Sequence, residues 1–231
     1  DPQLLFKLRS NFRHLDLHVL CGSHRLAQWA RDELAFSERT HCVYPLVEKA
    51  AENVDRSALR RQMGLEPEAI AIFIPTEGAL DDVHNAVIGC GIIERIEPRT
   101  RIVILGNHDE RAEHLQTYAR SIIVPRILHV VSECSPGLAI AGCDLVVQPV
   151  TRPAETLALL DAFGHSVPVV SSMQAEPAEL MAPGETFHDI GRGTGRMVAT
   201  GIYKLLTDQR YRQALTEGAR AAVERTCGPL E

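Results

Sequence analysis

Residues 142–170, GCDLVVQPVTRPAETLALLDAFGHSVPVV, constrain this chain more than any other stretch. The runs over 145–147 and 167–170 are continuously apolar, as in strands covered on both faces. Between them lie a loop closed by Pro149 and Pro153 and an apolar helical stretch ending near Phe163. Strand, helix and strand in this order make a crossover unit of a parallel sheet. In an open α/β sheet ligands bind beyond the carboxyl ends of the strands, against helix N-termini. The loop from Pro149 to Thr156 is expected to sit there.

The same alternation runs along the rest of the chain and predicts an α/β fold with a Rossmann-like, doubly wound parallel sheet. Strands are expected over 17–21, 42–47, 70–74, 101–105, 127–131 and 186–190, with helices over 24–36, 56–63, 81–94, 109–120, 195–206 and 208–225. Shorter helical turns are expected over 136–141 and 176–181. Ser23 has the position of an N-cap for the first helix. Trp29, between Leu26 and Leu34 on that helix, is expected to pack into a core.

Composition narrows the partners. The net charge is −6 with no long basic run, which disfavours nucleic acid and anionic membranes. No apolar stretch approaches the ~20 residues that span a bilayer. The six cysteines are scattered without a C-x-x-C pair, a pattern of reduced thiols and a cytoplasmic setting. The start, DPQLLFKLRSNFRHLD, lacks the apolar segment of a signal peptide and an initiator Met, so a fragment is expected.

From about residue 56 the order of motifs resembles the C-terminal half of GT-B glycosyltransferases, in particular the retaining "group 1" type. That family reads A-A-D, P-S-x-x-E-x-F-G, E-A and G-x-P-V-V across this region. Cys143-Asp144, Pro149, Leu157, Asp161-Ala162 and Pro168-Val169-Val170 fall in step with it. Leu59-Arg60-Arg61 with Gly64-Leu65, Ile102 to Gly106, Pro183 to Thr186 and the closing run 204–225 agree as well. The resemblance implies a nucleotide-sugar-binding domain over 48–231. It also implies that 1–47 is the remnant of an N-terminal acceptor domain with its linker. The reaction implied is transfer of a sugar from a UDP- or GDP-linked donor to an unknown acceptor, with no cofactor and no metal. The catalytic residues are unassigned, and the chain alone is not expected to transfer sugar. A lone strand–helix–strand over 1–47 has open edges, so a homodimer through this segment is also expected.

The donor residues implied are Thr76, Asp81, Gly106, Asn107, Arg152, Glu155, Thr156 and Asp161. The departures matter as much as the matches. The family's G-R-x-x-x-x-K segment falls on Pro75 to Asp81, so its arginine is Thr76 and its lysine Asp81. Its first glutamate falls on Pro153, its Phe-Gly on Glu155-Thr156 and its second glutamate on Asp161. A hydrogen bond to a charged group is worth ~1.5–3 kcal/mol, so losing two cations weakens diphosphate binding by about two to four decades. Arg152 could substitute, as could Arg192 or Arg196 in the run G-R-G-T-G-R, which is either an anion nest or a plain linker. The alternative function is a non-catalytic domain that keeps the scaffold without the donor chemistry.

One motif competes. Gly106-Asn107-His108-Asp109-Glu110 resembles the G-N-H-D/E signature of binuclear metallophosphoesterases, with Asp16-Leu17-His18 resembling their opening D-x-H. No bridging G-D-x-x-D segment lies between them, and Gly164-His165 lacks its G-H-x-H partner. A turn between strand and helix, capped by Asp109, is the favoured reading of the run.

Overall fold

The computed structural model describes residues 18–34, 37–44, 55–76, 79–106, 110–122, 128–131, 134–151, 154–155, 157–176 and 178–227. The chain opens with β1 (Val19–Cys21), α1 (His24–Leu34) and β2 (Thr40–Cys42). It continues with α2 (Arg56–Gln62), β3 (Ile70–Phe73), α3 (Leu80–Glu94), β4 (Thr100–Leu105), α4 (Glu110–Ile122) and β5 (Leu128–Val131). Then follow α5 (Pro136–Gly142), β6 (Leu145–Gln148), β7 (Ala154–Glu155), α6 (Leu157–Gly164), β8 (Val169–Ser171) and β9 (Ala175–Glu176). The last elements are β10 (His188–Asp189), α7 (Gly195–Thr207) and α8 (Gln209–Thr226).

Six strands form one sheet in the order β10-β8-β6-β3-β4-β5, every neighbouring pair parallel. Alternate residues of each strand divide between two cores. Ala71, Phe73, Val103, Leu105, Val146 and Val169 pack with α5, α6 and the end of α8. Ile72, Ile74, Ile102, Ile104, Val147 and Val170 pack with α3, α4 and α7. Cover on both faces is the physical reason these strands read as unbroken apolar runs.

The chain winds outward from β3 through β4 to β5, then returns to the other side of β3 and continues through β6, β8 and β10. The chain leaves β3 and β6 in opposite directions, and it is outside the carboxyl ends of such a pair that open α/β sheets place their ligands. The opposite, amino ends of these two strands are clamped. Asp144 accepts from the Ala71 N–H (2.8 Å) and pairs with Arg56 (2.7 Å) and Arg60 (3.2 Å).

β1 and β2 form a separate parallel pair, Val19 opposite Thr40 and Cys21 opposite Cys42. Ser23 caps α1 as expected, its Oγ accepting from the Leu26 N–H at 3.1 Å. The second strand starts two residues earlier than the sequence implies, and positions 45–47 of that expectation lie outside the described residues. Trp29 corrects its expectation: it is 47% exposed, because Ala27 and Ala30 are the residues that α1 turns toward Cys21. Leu20 (68%) and Val43 (52%) are exposed as well, so a two-stranded sheet with one helix leaves apolar surface uncovered. The Arg25 N–H donates to Glu179 Oε1 at 3.2 Å, linking this unit to the larger sheet's side of the molecule.

The expected strand over 186–190 is shorter, His188–Asp189 at the sheet edge, and the helical stretch over 176–181 is a 3-10 turn at Ala178–Leu180. No helix among the described residues is long and apolar enough to cross a membrane.

Candidate functional site at the carboxyl edge of the sheet

Four loops converge on the carboxyl edge around the β3/β6 switch: those after β3, β6, β8 and β10. Three side chains hold them from beneath. Asp82, in the first turn of α3, accepts from the Thr151 N–H at 3.1 Å. Asn85, on the same helix, accepts from the Gly195 N–H at 3.0 Å. Ser172, just after β8, accepts from the Val150 N–H at 3.3 Å. Beside it Ser171 Oγ donates to the Gln148 carbonyl at 2.7 Å. The β7–β9 pair adds a tie between the loops after β6 and β8, Ala154 opposite Ala175. Loops that would otherwise be free at this edge are thus fastened at their bases.

The run Gly191 to Arg196 also belongs to this edge. Asp189 Oδ1 accepts from the Gly191 N–H (3.0 Å), the Ile190 carbonyl from the Gly193 N–H (3.2 Å), and Asn85 from the Gly195 N–H. Three of its N–H groups, those of Gly191, Gly193 and Gly195, are therefore already bonded within the protein. Gly193 has φ +67°, and a Cβ there would stand 2.9 Å from Pro149 Cβ. Both facts demand glycine at a point where the last loop rests on the loop after β6. Thr194 caps α7, and Arg192 and Arg196 extend outward, exposed.

The residues expected from the sequence are placed as follows. Thr76 is half-buried at the exit of β3, after the buried Pro75. Asp81 is exposed in the first turn of α3, its carbonyl accepting from Asn85 Nδ2 at 3.0 Å. Gly106 is buried at the end of β4, its N–H on the Val131 carbonyl at 3.0 Å. A Cβ at Gly106 would collide with Val130, so close packing on β5 accounts for this glycine. Glu155 lies in β7, its backbone opposite Glu176. Asp161 lies one turn into α6, half-buried, its carboxylate 3.9 Å from where a Cβ on Gly137 would stand. It therefore faces the first turn of α5, a different part of the edge from Thr76 and Asp81. Asn107, Arg152 and Thr156, with the rest of the G-N-H-D run, lie outside the described residues. Among the described residues no group of three or more His, Cys, Asp or Glu side chains is placed to hold a metal ion.

Sequence reasoning missed Asp82, Asn85, Ser172 and the seat of Gly193 on Pro149. Asp81-Asp82 at a helix start and Ser171-Ser172 after VPVV were visible as residue types. Their partners lie 69, 110 and 22 residues away, and no local pattern encodes such pairings.

No protein-family model matches the chain, and no protein of curated function matches it in sequence. Solved structures do. HepE of Anabaena, solved in complex with UDP and glucose, matches with a TM-score of 0.80 at 16% identity, over 97% of this chain and 63% of HepE. WaaG, a glycosyltransferase involved in lipopolysaccharide biosynthesis, matches with a TM-score of 0.72 at 19% identity, over 96% of this chain and 65% of WaaG. The C-terminal domain of a group 1 family glycosyl transferase from Francisella tularensis matches with a TM-score of 0.64 at 13% identity, over 78% of this chain and 95% of that domain. The fold is that of the GT-B glycosyltransferases, with the Rossmann-like parallel sheet expected from the sequence. This chain spans less than two thirds of the length of HepE and WaaG.

Proposed function

We propose that this chain is the donor side of a glycosyltransferase, binding a nucleotide sugar for transfer to an acceptor hydroxyl. The observation that carries the reading is the reversal of strand order at β3/β6 on a GT-B scaffold, with the loops after β6, β8 and β10 tied together beside it. Residues 48–231 form the donor domain in this reading. The β1–α1–β2 unit within 1–47 is the end of an acceptor domain, and its uncovered Leu20, Trp29 and Val43 are surfaces that such a domain, or a second copy, would cover. The protein works in the cytoplasm.

The chemistry divides along the edge. A nucleoside brings ribose hydroxyls, for which the Asp161 carboxylate beside α5 is an acceptor. A diphosphate brings negative charge, which calls for N–H groups and cations. HepE is solved with UDP, which makes a UDP-linked donor the first choice here and a GDP-linked donor the second. In this reading Arg152, Glu155 and Thr156, which follow β6 in the sequence, and Gly106 with Asn107, which follow β4, are donor-binding residues.

The second reading, a donor-like domain without transferase chemistry, is favoured by one feature. Asp81 and Asp82 occupy the first turn of α3, where the resemblance calls for a cation. Calorimetric titration with UDP and GDP tests both readings, on the native chain and on Thr76→Arg/Asp81→Lys. The native chain should bind weakly. Asp81 is exposed and Thr76 half-buried, so solvent screening reduces the gain from two restored cations to about one to two decades. Absence of nucleotide binding by both proteins at millimolar concentration sinks the donor reading.

A further inference from the structure

Asp82 is buried, 4% exposed, in the first turn of α3. One carboxylate oxygen, Oδ2, takes the Thr151 N–H at 3.1 Å. The other, Oδ1, is buried and has no hydrogen-bond partner among the described residues. A buried carboxylate satisfied on one oxygen alone is an unusual element to retain at a ligand edge. Its place is telling. The first turn of a helix favours an anion, and a loop N–H pointed at that turn is the kind of donor a phosphate oxygen takes. The N-cap residue Ala79 offers no side chain of its own to this helix start.

We propose that Asp82 is a built-in competitor for the anionic part of a ligand at this edge. Its carboxylate stands in for a phosphate oxygen: it takes the Thr151 N–H and sets negative charge against any incoming diphosphate. Val150, held by Ser172, and Pro149, seated on Gly193, keep the base of the loop in register while Asp82 keeps its donor occupied. Anion affinity at this site is then set by Asp82 rather than only by the missing cations. The inference rests on the nucleotide reading for the identity of the natural ligand, but not for the anion competition itself.

The test is calorimetric titration of sodium pyrophosphate, uridine and UDP into the native chain, Asp82→Asn and Asp82→Ser. Asp82→Asn keeps an oxygen for the Thr151 N–H and removes the charge, while Asp82→Ser, one bond shorter, removes the charge and frees that N–H as well. Two like charges a few ångströms apart in a partly buried site differ from a neutral pair by about tenfold or more in binding. Pyrophosphate and UDP should therefore bind both variants about tenfold more tightly, with uridine unchanged. Unchanged or weaker pyrophosphate and UDP binding in both variants overturns the proposal. So does loss of the cooperative thermal transition in both, since the carboxylate would then be a structural strut. Tighter pyrophosphate with no UDP or uridine binding by any of the three proteins upholds the competitor and sinks the nucleotide reading instead.

Discussion

Removing Asp144 is the sharpest perturbation the fold offers, because this carboxylate joins β3 to β6 at the end opposite the carboxyl edge. It accepts from the Ala71 N–H on β3, from Arg56 and from Arg60, whose side chain is 10% exposed. Asp144→Ala leaves Arg60 buried beside carbonyls alone and the Ala71 N–H without its acceptor. Breaking a buried pair by removing one partner costs about 3–5 kcal/mol. Arg56 is 45% exposed and can turn to water, so the lower end, about 3 kcal/mol, is expected. Against a total of ~5–15 kcal/mol that is a large share. Urea unfolding followed by circular dichroism measures it. The double variant Arg60→Met/Asp144→Leu should lose less than the sum of its single changes, since it strands no charge. The native pH profile gives an independent readout. Burial alone would raise the Asp144 pKa, but the Ala71 N–H and the Arg56 and Arg60 guanidiniums outweigh it, and the carboxyl is held below its ordinary value of 3.8. A depressed carboxyl pKa stabilises fully above the unfolded value, so this contribution is lost as pH falls below about 4. His129 and His188 are pushed below 6.5 by burial, so their contribution is already lost in an earlier stage below about pH 6.5. Asp144→Ala should keep the earlier stage and flatten the acid one. A loss under ~1 kcal/mol in the single variant, or an unaltered acid stage, refutes the reasoning.

Two further changes test the site and the small β–α–β unit. Gly193→Ala adds left-handed strain and a Cβ 2.9 Å from Pro149 Cβ, for a cost of about 2–4 kcal/mol. Its melting temperature and UDP affinity should fall together, and a stability loss under ~1 kcal/mol would show that the two loops do not bear on each other. If the apolar surface of the β1–α1–β2 unit is covered by a second copy, raising the protein concentration should double the mass by light scattering and blue-shift the Trp29 emission, while Trp29→Lys stays monomeric. A strictly monomeric chain with Trp29 open to iodide quenching at every concentration would remove that proposal.

The α/β class, the parallel sheet and nearly every element could be read from the sequence, because strands covered on both faces must be apolar throughout and helices repeat with their own period. Ile102 to Leu105 and Leu145 to Val147 carry that information within a few residues. The carboxyl edge as the place for a candidate site was expected for the same reason, since strand direction in a crossover sheet is set by local order. Tertiary structure decided what depends on distant partners. Trp29 is exposed because Ala27 and Ala30 face the sheet, a choice made by helix rotation rather than composition. Gly106 is a packing glycine against Val130, although its neighbours read as a ligand motif. The G-R-G-T-G-R run read as either an anion nest or a plain linker, and only the structure shows that Asp189, Ile190 and Asn85 take three of its N–H groups. Asp82 reaches Thr151 across 69 residues of chain, and only the winding of β3 beside β6 brings the two together. Local sequence encodes periodicity and capping; which buried donor meets which acceptor is settled by the strand order of the closed sheet.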